Sequence, residues 1–395
     1  MGRPRPKGKT AFSVLTCNGR VSLRRRRWSC PVRGAMTIAD RSLMIAGHTV
    51  SLATREMICR LNQASTSFRK TASNLTRLAQ ITTNAETVRQ LVEGEGQAIV
   101  SAQQEGTLTA AWQAQDCLLE SGQTRVYLGS DGVKVPMVTE TEKAKRRHRH
   151  EAKRRKRKQK GRCLRRLPRR KTGSDQAYKQ FKLVVFYDES NQHRHCVATR
   201  HDHRMAGVIM SREARHLDLK KADERIGNVD GADWIRNRIQ DADLDLHGLG
   251  LDFYHLSENV HKARRETFGE DSEQGRQWVA NLLHTVKHEG YGAMWDQLTP
   301  WRMQWRSKTK KAAADRLMHY VAHRRDMIDY PKFLKQGWQI GPGPTEAMCK
   351  TTTARIKGSG MRWEPENAEA LMALNGLDQS NQWSSYWKNQ LSDAA

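Results

Sequence analysis

The chain has 395 residues, of which 69 are Lys or Arg against 42 Asp or Glu, a net charge of +27 with a pI near 10.1. Such an excess repels itself unless a polyanion neutralises it, which points to nucleic acid ahead of an anionic membrane. The length allows two or three domains, no apolar run is long enough to span a bilayer, and the basic start MGRPRPKGKTAF lacks the apolar core of a secretory signal.

Residues 1–50 are basic and poorly periodic. Cys17 and Cys30 flank NGRVSLRRRRWS, which reads as a short strand and turn. Two thiols do not complete a four-ligand zinc site, so a pair of buried thiols is the competing reading. Seven cysteines without paired spacing imply reduced thiols in a cytoplasmic protein.

Residues 51–120 read as a helical domain. Phe68, Ala72, Leu75 and Leu78 recur at helical spacing, and a break follows at 80–82. Thr83 and Glu86 have the spacing of a capping box, with Val88, Leu91 and Val92 on one face. Two short helices and a tight turn suggest a helix-turn-helix, in which Asn84, Thr87 and Arg89 face the major groove. A helical hairpin that binds nothing has the same pattern. Residues 97–120 read as one more helix.

From Thr124 the period becomes that of a strand, TRVYLGSDGVKVP, with Asp131-Gly132 in the middle. Asp has low strand propensity, so it marks either a functional site or the turn of a hairpin. Residues 143–171 are a basic run expected to be an extended surface loop gripping phosphates through Arg154, Arg155 and Arg157, with a nuclear localisation signal as the rival reading. His148 and His150 within it read as solvated. Strands follow at 181–189 and 193–200, completing a meander. Alternation puts His193 and His195 on one face of a half-exposed strand. A helix over 210–224 leads to a strand at 225–229, the acidic turn starting at Asp230, and a strand over 244–254 closed by Asp252 and His255.

Residues 256–338 are helical throughout. Trp278, Leu282 and Val286 share a face, as do Leu317, Tyr320 and Val321. Trp295, Trp301 and Trp305 alternate with Arg302, Arg306 and Lys308, a pattern for stacking on bases or for the core of these helices. At 341–344 Gly-Pro-Gly-Pro forms a turn. Thr345 then caps a helix that carries Glu346 in its first turn and stops at Gly358 and Gly360. An ordinary capped helix is the plainer alternative. One helix over 366–374 and a polar tail complete the chain.

The stretch 339–363 resembles the C-terminal signature of DDE transposases of the ISKra and ISLre insertion-sequence groups, distant relatives of Mutator-like elements. Those enzymes carry a glycine turn, a catalytic Glu, and a basic helix ending in a Lys-Gly-x-Gly-Met-x-Trp run, here Lys357 to Trp363. Their turn is usually Gly-Ser-Gly, and this one is Gly-Pro-Gly. The resemblance implies an α+β fold: an RNase H-like mixed sheet over 121–255 and 339–376, an all-helical insertion at 256–338, and an N-terminal helix-turn-helix domain. It makes Asp131, Asp230 and Glu346 the catalytic acids. They would hold two Mg²⁺ or Mn²⁺ ions, with Asp131 bridging both. Asp252 and His255 match the Asp-x-x-His pair of that superfamily, which contacts the scissile DNA or braces the site, and Asp252 rivals Asp230 as the second acid. They also match a strand closed by a plain turn. Lys350, Arg355, Lys357 and Arg362 would contact DNA. A zinc-ribbon-like element with a Cys-x-x-Cys pair often occupies the N-terminal place, but Cys30 is followed by Pro31 and Val32 without a second Cys. The implied partners are double-stranded DNA, as transposon ends and target, and further copies of the chain assembled on it. The implied location is the bacterial cytoplasm at the nucleoid, with no membrane. The rivals are an RNase H-like nuclease or resolvase, and a decayed transposase that only binds DNA.

Overall fold

The structure, a computed structural model, describes residues 5–30, 34–37, 39–40, 45, 49–164, 166–167, 172–341 and 343–392. Pro31, Val32, Pro342, and residues 165 and 168–171 of the basic run lie outside the described residues. The fold mixes helices with two sheets, and the chain divides into two units. One comprises Met1–Ala111, Lys134–Gln180 and Thr351–Ala395; the other comprises Trp112–Val133 and Phe181–Lys350.

The first unit opens with an antiparallel sheet of β1 (Arg5–Thr16), β2 (Gly19–Cys30) and β3 (Gly34–Met36). Cys17 sits in the β1–β2 turn and Cys30 at the far end of β2. A twelve-residue strand keeps them roughly 35–40 Å apart, so the two thiols share no zinc site. Cys30 is buried, but Cys17 is half-exposed and touches Thr54, which corrects the reading of a buried pair.

Helices α1 (Leu52–Gln63), α2 (Phe68–Leu78) and α3 (Ala85–Glu105) start at caps from Ser51, Ser67 and Asn84. The third cap corrects the expectation of Thr83: the Asn84 side chain accepts from the Thr87 amide at 2.8 Å. Leu78, expected on the apolar face, is 77% exposed. Helix α3 runs unbroken through 97 and ends at Gly106, which takes the left-handed conformation. The expected separate helix over 97–120 is therefore the end of α3, a loop and a short 3₁₀ turn at Ala114–Asp116.

The basic run departs most from expectation. Much of it forms helix α4 (Glu140–Gln159), not an extended loop. Thr139 and Glu142 close a capping box, Glu140 and Glu142 suit the positive end of the helix, and Lys156 to Lys158 suit the negative end. Arg147 pairs with Glu151 one turn on. Arg and Lys are good helix formers, so local capping outweighs their repulsion. No residue of α4 is buried. Helix α12 (Pro365–Gln379) packs along α3. The expected polar tail is helix α13 (Trp383–Ser392), with Trp383, Tyr386 and Trp387 buried at helical spacing. Tyr386 donates to Glu95 at 2.8 Å and Trp383 to Glu56 at 2.7 Å.

The second unit is built on a five-stranded sheet of order β6-β5-β4-β7-β8. Its strands are β4 (Arg125–Pro136), β5 (Tyr178–Asp188), β6 (Arg194–Thr199), β7 (Glu224–Val229) and β8 (Gly248–Leu251). β5 and β6 are antiparallel, whereas β7 is parallel to both β4 and β8. β4 runs straight through Asp131-Gly132, so the hairpin alternative is excluded. β6 is buried on both faces, not half-exposed. His195 is 3% exposed because α5 (His203–His216) covers it and supplies Glu213 at 2.8 Å. That helix starts and ends earlier than the expected 210–224. α6 (Asp233–Asp241) follows β7. The strand expected over 244–254 is only β8, since Asp252 caps the next helix by accepting from the Tyr254 amide.

That helix is α7 (Phe253–Phe268). After it come α8 (Glu273–Met303), broken at Gly290, then α9 (Lys308–Ala322) and α10 (Tyr330–Lys335). Trp278 stacks on Trp301 at 4.4 Å between ring centres, and Phe268 and Trp305 pack against them. Trp301 is thus core and Trp305 is half-buried beside it under the Lys310 amine, while Trp295 stacks on Tyr291. Among the described residues, no helix is long and apolar enough to cross a membrane.

Candidate active site

β4 pairs with β7 at a constant offset, Arg125 opposite Glu224 and Leu128 opposite Gly227 (224 − 125 = 99). Asp131 and Asp230 are separated by the same 99 residues. Continuing the register therefore sets them level on neighbouring strands, side chains to the same face, about 4.8 Å apart in strand spacing. Val229 pairs with Leu251 across β7 and β8, and the Asp252 amide still donates to Val229 at 2.8 Å. So Asp252 stands level with Asp230 on the other side.

The fourth acid arrives on helix α11 (Gly343–Ala354), with Glu346 in its first turn. Thr345, expected as the cap, lies inside this helix. The approach to α11 is tied down residue by residue. Arg125 donates to the carbonyls of Gly337 at 2.7 Å and Gln336 at 3.0 Å, while Glu224 and Glu189 hold its guanidinium. The Gln339 amide donates to the Tyr127 hydroxyl, which itself donates to Glu189 at 2.6 Å. The Ile340 carbonyl accepts from the Phe253 amide, and the Gly341 carbonyl accepts from Asn228. Gly129 then lets α11 come close, because a Cβ there would lie 1.9 Å from the Thr345 hydroxyl.

Asp131, Asp230, Asp252, His255, Glu258 and Glu346 thereby line one cavity of about 230 Å³, with Tyr254 exposed at its side. Burial pushes the Asp230 carboxyl up, and the like charge of Asp131 adds to that. The Ala232 amide at 2.8 Å, His255 and Arg324 oppose it. The 2.8 Å hydrogen bond to Asp252 is the main cause that raises the His255 pKa, and the site's other carboxylates add to it. Buried Asp252 thus both caps α7 and orients His255, more than a strand-closing turn does.

Two cations that sequence reading missed act electrostatically on these acids without lining the cavity. Lys182, on β5, is buried with its amine 4.2 Å over the Trp234 ring. Burial pushes its pKa down, while Asp230 and Asp131 push it back. Arg324, beyond α9, stacks on Tyr320 and packs on Gly231, whose φ of +74° and lack of a Cβ admit it. A lone Lys in the apolar run FKLVVFY was the available signal for Lys182. Nothing local marks Arg324.

The residues expected to face DNA differ in their engagement. Asn84 caps α3 through its side-chain oxygen and is exposed, and Arg89 is held between Glu86 and Glu93. Arg355 is buried, its guanidinium over Phe68, so it is a packing residue and not a DNA contact. Arg362 pairs with Glu142, and Lys350 with Glu346. Lys357 is exposed, and Arg154, Arg155 and Arg157 lie along the uncovered α4. Thr87 is half-buried near the start of α3.

Among the described residues, no three His, Cys, Asp or Glu side chains are gathered tightly enough to hold a metal ion as they stand. The donor set nonetheless suits a hard divalent cation, being carboxylate oxygens around a cavity where burial and like charge disfavour ionised Asp230. Asp131, Asp230 and Glu346 would hold it. A scan of protein-family models finds no match to this chain, and neither does a search of curated proteins.

Proposed function

We propose that the chain is a DDE-type DNA transposase of an insertion sequence, with an RNase H-like catalytic unit. One observation carries the reading: Asp131 on β4, Asp230 just past the end of β7, and Glu346 on α11 line the same cavity. The strand order supports it too. The first three strands of the sheet lie side by side in sequence order, the next two join in parallel beyond β4, and a helical segment precedes the Glu-bearing helix. The net charge of +27 suits duplex DNA.

Two bound Mg²⁺ or Mn²⁺ ions would activate an attacking oxygen and stabilise a leaving one. The chain's own groups do the rest. The Ala232 amide fixes one Asp230 oxygen, Asp252 holds His255 toward the cavity, and Arg324 offers a cation beside Asp230. The reactions are phosphodiester hydrolysis at a transposon end and then attack of the freed 3′-hydroxyl on target DNA, by copies of the chain assembled on paired ends in the bacterial cytoplasm.

The test incubates full-length protein with Mg²⁺ and supercoiled plasmid carrying the sequences that flank its gene. Cleavage and joining at those ends, abolished by Asp131→Ala, Asp230→Ala or Glu346→Ala with DNA binding retained, is the expected result. Cleavage without joining identifies an RNase H-like nuclease or resolvase. Binding without either identifies a decayed DNA-binding relative. Normal cutting by Asp230→Ala moves the second acid to Asp252.

A further inference from the structure

We infer that the β1–β2 ribbon is a second DNA-contacting element, which lays one face in the major groove of duplex DNA. The inference rests on the proposed DNA substrate but not on the chemistry of the acid cavity. Between Arg5 and Cys30 the ribbon carries eight basic residues and no acid. Its turn end is fastened to the body of its unit: Val14 and Leu15 are buried, and Leu15 exchanges hydrogen bonds with Thr49 and Ser51 at 2.9 Å.

The register separates the two faces. Lys9 pairs with Arg26, Ala11 with Arg24, Ser13 with Ser22, and Leu15 with Arg20. Cross-strand partners share a face, so Lys9, Arg20, Arg24 and Arg26 lie together, all exposed. The opposite face carries Phe12, Leu23 and Val14, with Arg25 stacked on Phe12 at 3.5 Å and paired with Asp40. Arg25 on that face is thus neutralised within the fold and Arg27 is left exposed there, whereas the other face gathers four exposed cations with no ion pair among the described residues.

Like charges directly opposite, as in Lys9 and Arg26, destabilise a ribbon unless an anion lies between them. Ala11, Ser13 and Ser22 keep the middle of this face shallow, which allows the backbone close to a groove floor. A two-stranded ribbon fits the B-form major groove, about 12 Å wide, but not the narrow major groove of duplex RNA. A membrane surface is disfavoured because the basic face exposes no large apolar side chain to insert, Leu15 being buried in the body of its unit.

The experiment measures binding of the full-length chain to a labelled random-sequence DNA duplex across a salt series. Arg24→Gln with Arg26→Gln should lower the slope of log affinity against log salt by about 0.9 for each phosphate no longer neutralised, and cut affinity at least tenfold at low salt. Arg27→Gln, on the other face by alternation, should change it less. Methylation of guanine N7, which lies in the major groove, should interfere with binding by the native chain but not by the double variant. An unchanged slope with native circular dichroism overturns the inference. Equal affinity for duplex RNA or for phosphatidylglycerol vesicles also overturns it. A chain whose DNA binding depends on the ribbon but which never cuts DNA overturns the transposase reading and leaves the ribbon standing.

Discussion

Lys350 stands 2.7 Å from Glu346, one turn back along α11, and so engages a carboxylate of the acid cavity. The hydrogen bond raises the Lys350 pKa, so its ammonium stays charged at neutral pH. A divalent cation bound as proposed would compete with this ammonium for the Glu346 oxygen. Lys350→Ala should therefore lower the Mg²⁺ concentration for half-maximal cleavage by about twofold, as an exposed pair warrants. The same variant should reduce the salt slope of DNA binding by about 0.9 if Lys350 also meets a phosphate. Metal titrations at fixed DNA, and DNA titrations at fixed metal, separate the two effects.

Gly129 decides whether α11 reaches β4 at all. A Val there would drive its branches into Thr345. Overpacking of this kind costs about 1–3 kcal/mol, and a shift of about 1 Å in Glu346 costs about a hundredfold in rate. Gly129→Val should thus stay folded by circular dichroism while losing metal-dependent cleavage. Cleavage at the native rate would mean that Glu346 is not among the working acids.

Lys182 is buried on β5 against Trp234, where burial pushes its pKa down and the charges of Asp230 and Asp131 push it up. Lys182→Met removes the ammonium and keeps the volume. Without metal the variant should be less stable by about 1–3 kcal/mol. Mg²⁺ should narrow the gap, because a cation in the cavity replaces the lost ammonium. Thermal melts with and without Mg²⁺ read this directly, and equal loss under both conditions would argue against a metal beside these acids.

The His195–Glu213 pair gives the second unit an acid limit. Burial pushes the Glu213 carboxyl up, but His195 at 2.8 Å and Arg212 outweigh it and hold it at about 2, against an ordinary 4.5. A depressed carboxyl contributes stability above its unfolded value and loses it as pH falls from about 4.5 to about 2. The loss is about 3 kcal/mol over that window. Glu213→Gln should start less stable at neutral pH and show a flatter melting curve between pH 5 and pH 2.

Much of the acid cavity is legible in the residue order. The alternation around Asp131, the acidic turn after Val229, and the glycine turn before Glu346 are local signals, and each acid sits where its signal placed it. The misreadings share a cause. β6 looked half-exposed because alternation cannot report a covering helix, and the basic run looked extended because charge counting ignored the Thr139–Glu142 cap. The tail at 383–387 carried a helical spacing of aromatics that its polar composition obscured.

Residue order alone singled out the candidate side chains: hard carboxylates, a His three residues past an Asp, and a large positive surplus. It could not say that Asp131, Asp230 and Asp252 would line one cavity, because strand register is set by ladders between segments far apart in the chain. Nor could it show Arg125 and Tyr127 holding residues 336–339, or the Lys182 amine over the Trp234 ring. Those contacts exist only once burial has stripped water from the charged groups and left each of them to find a partner within reach.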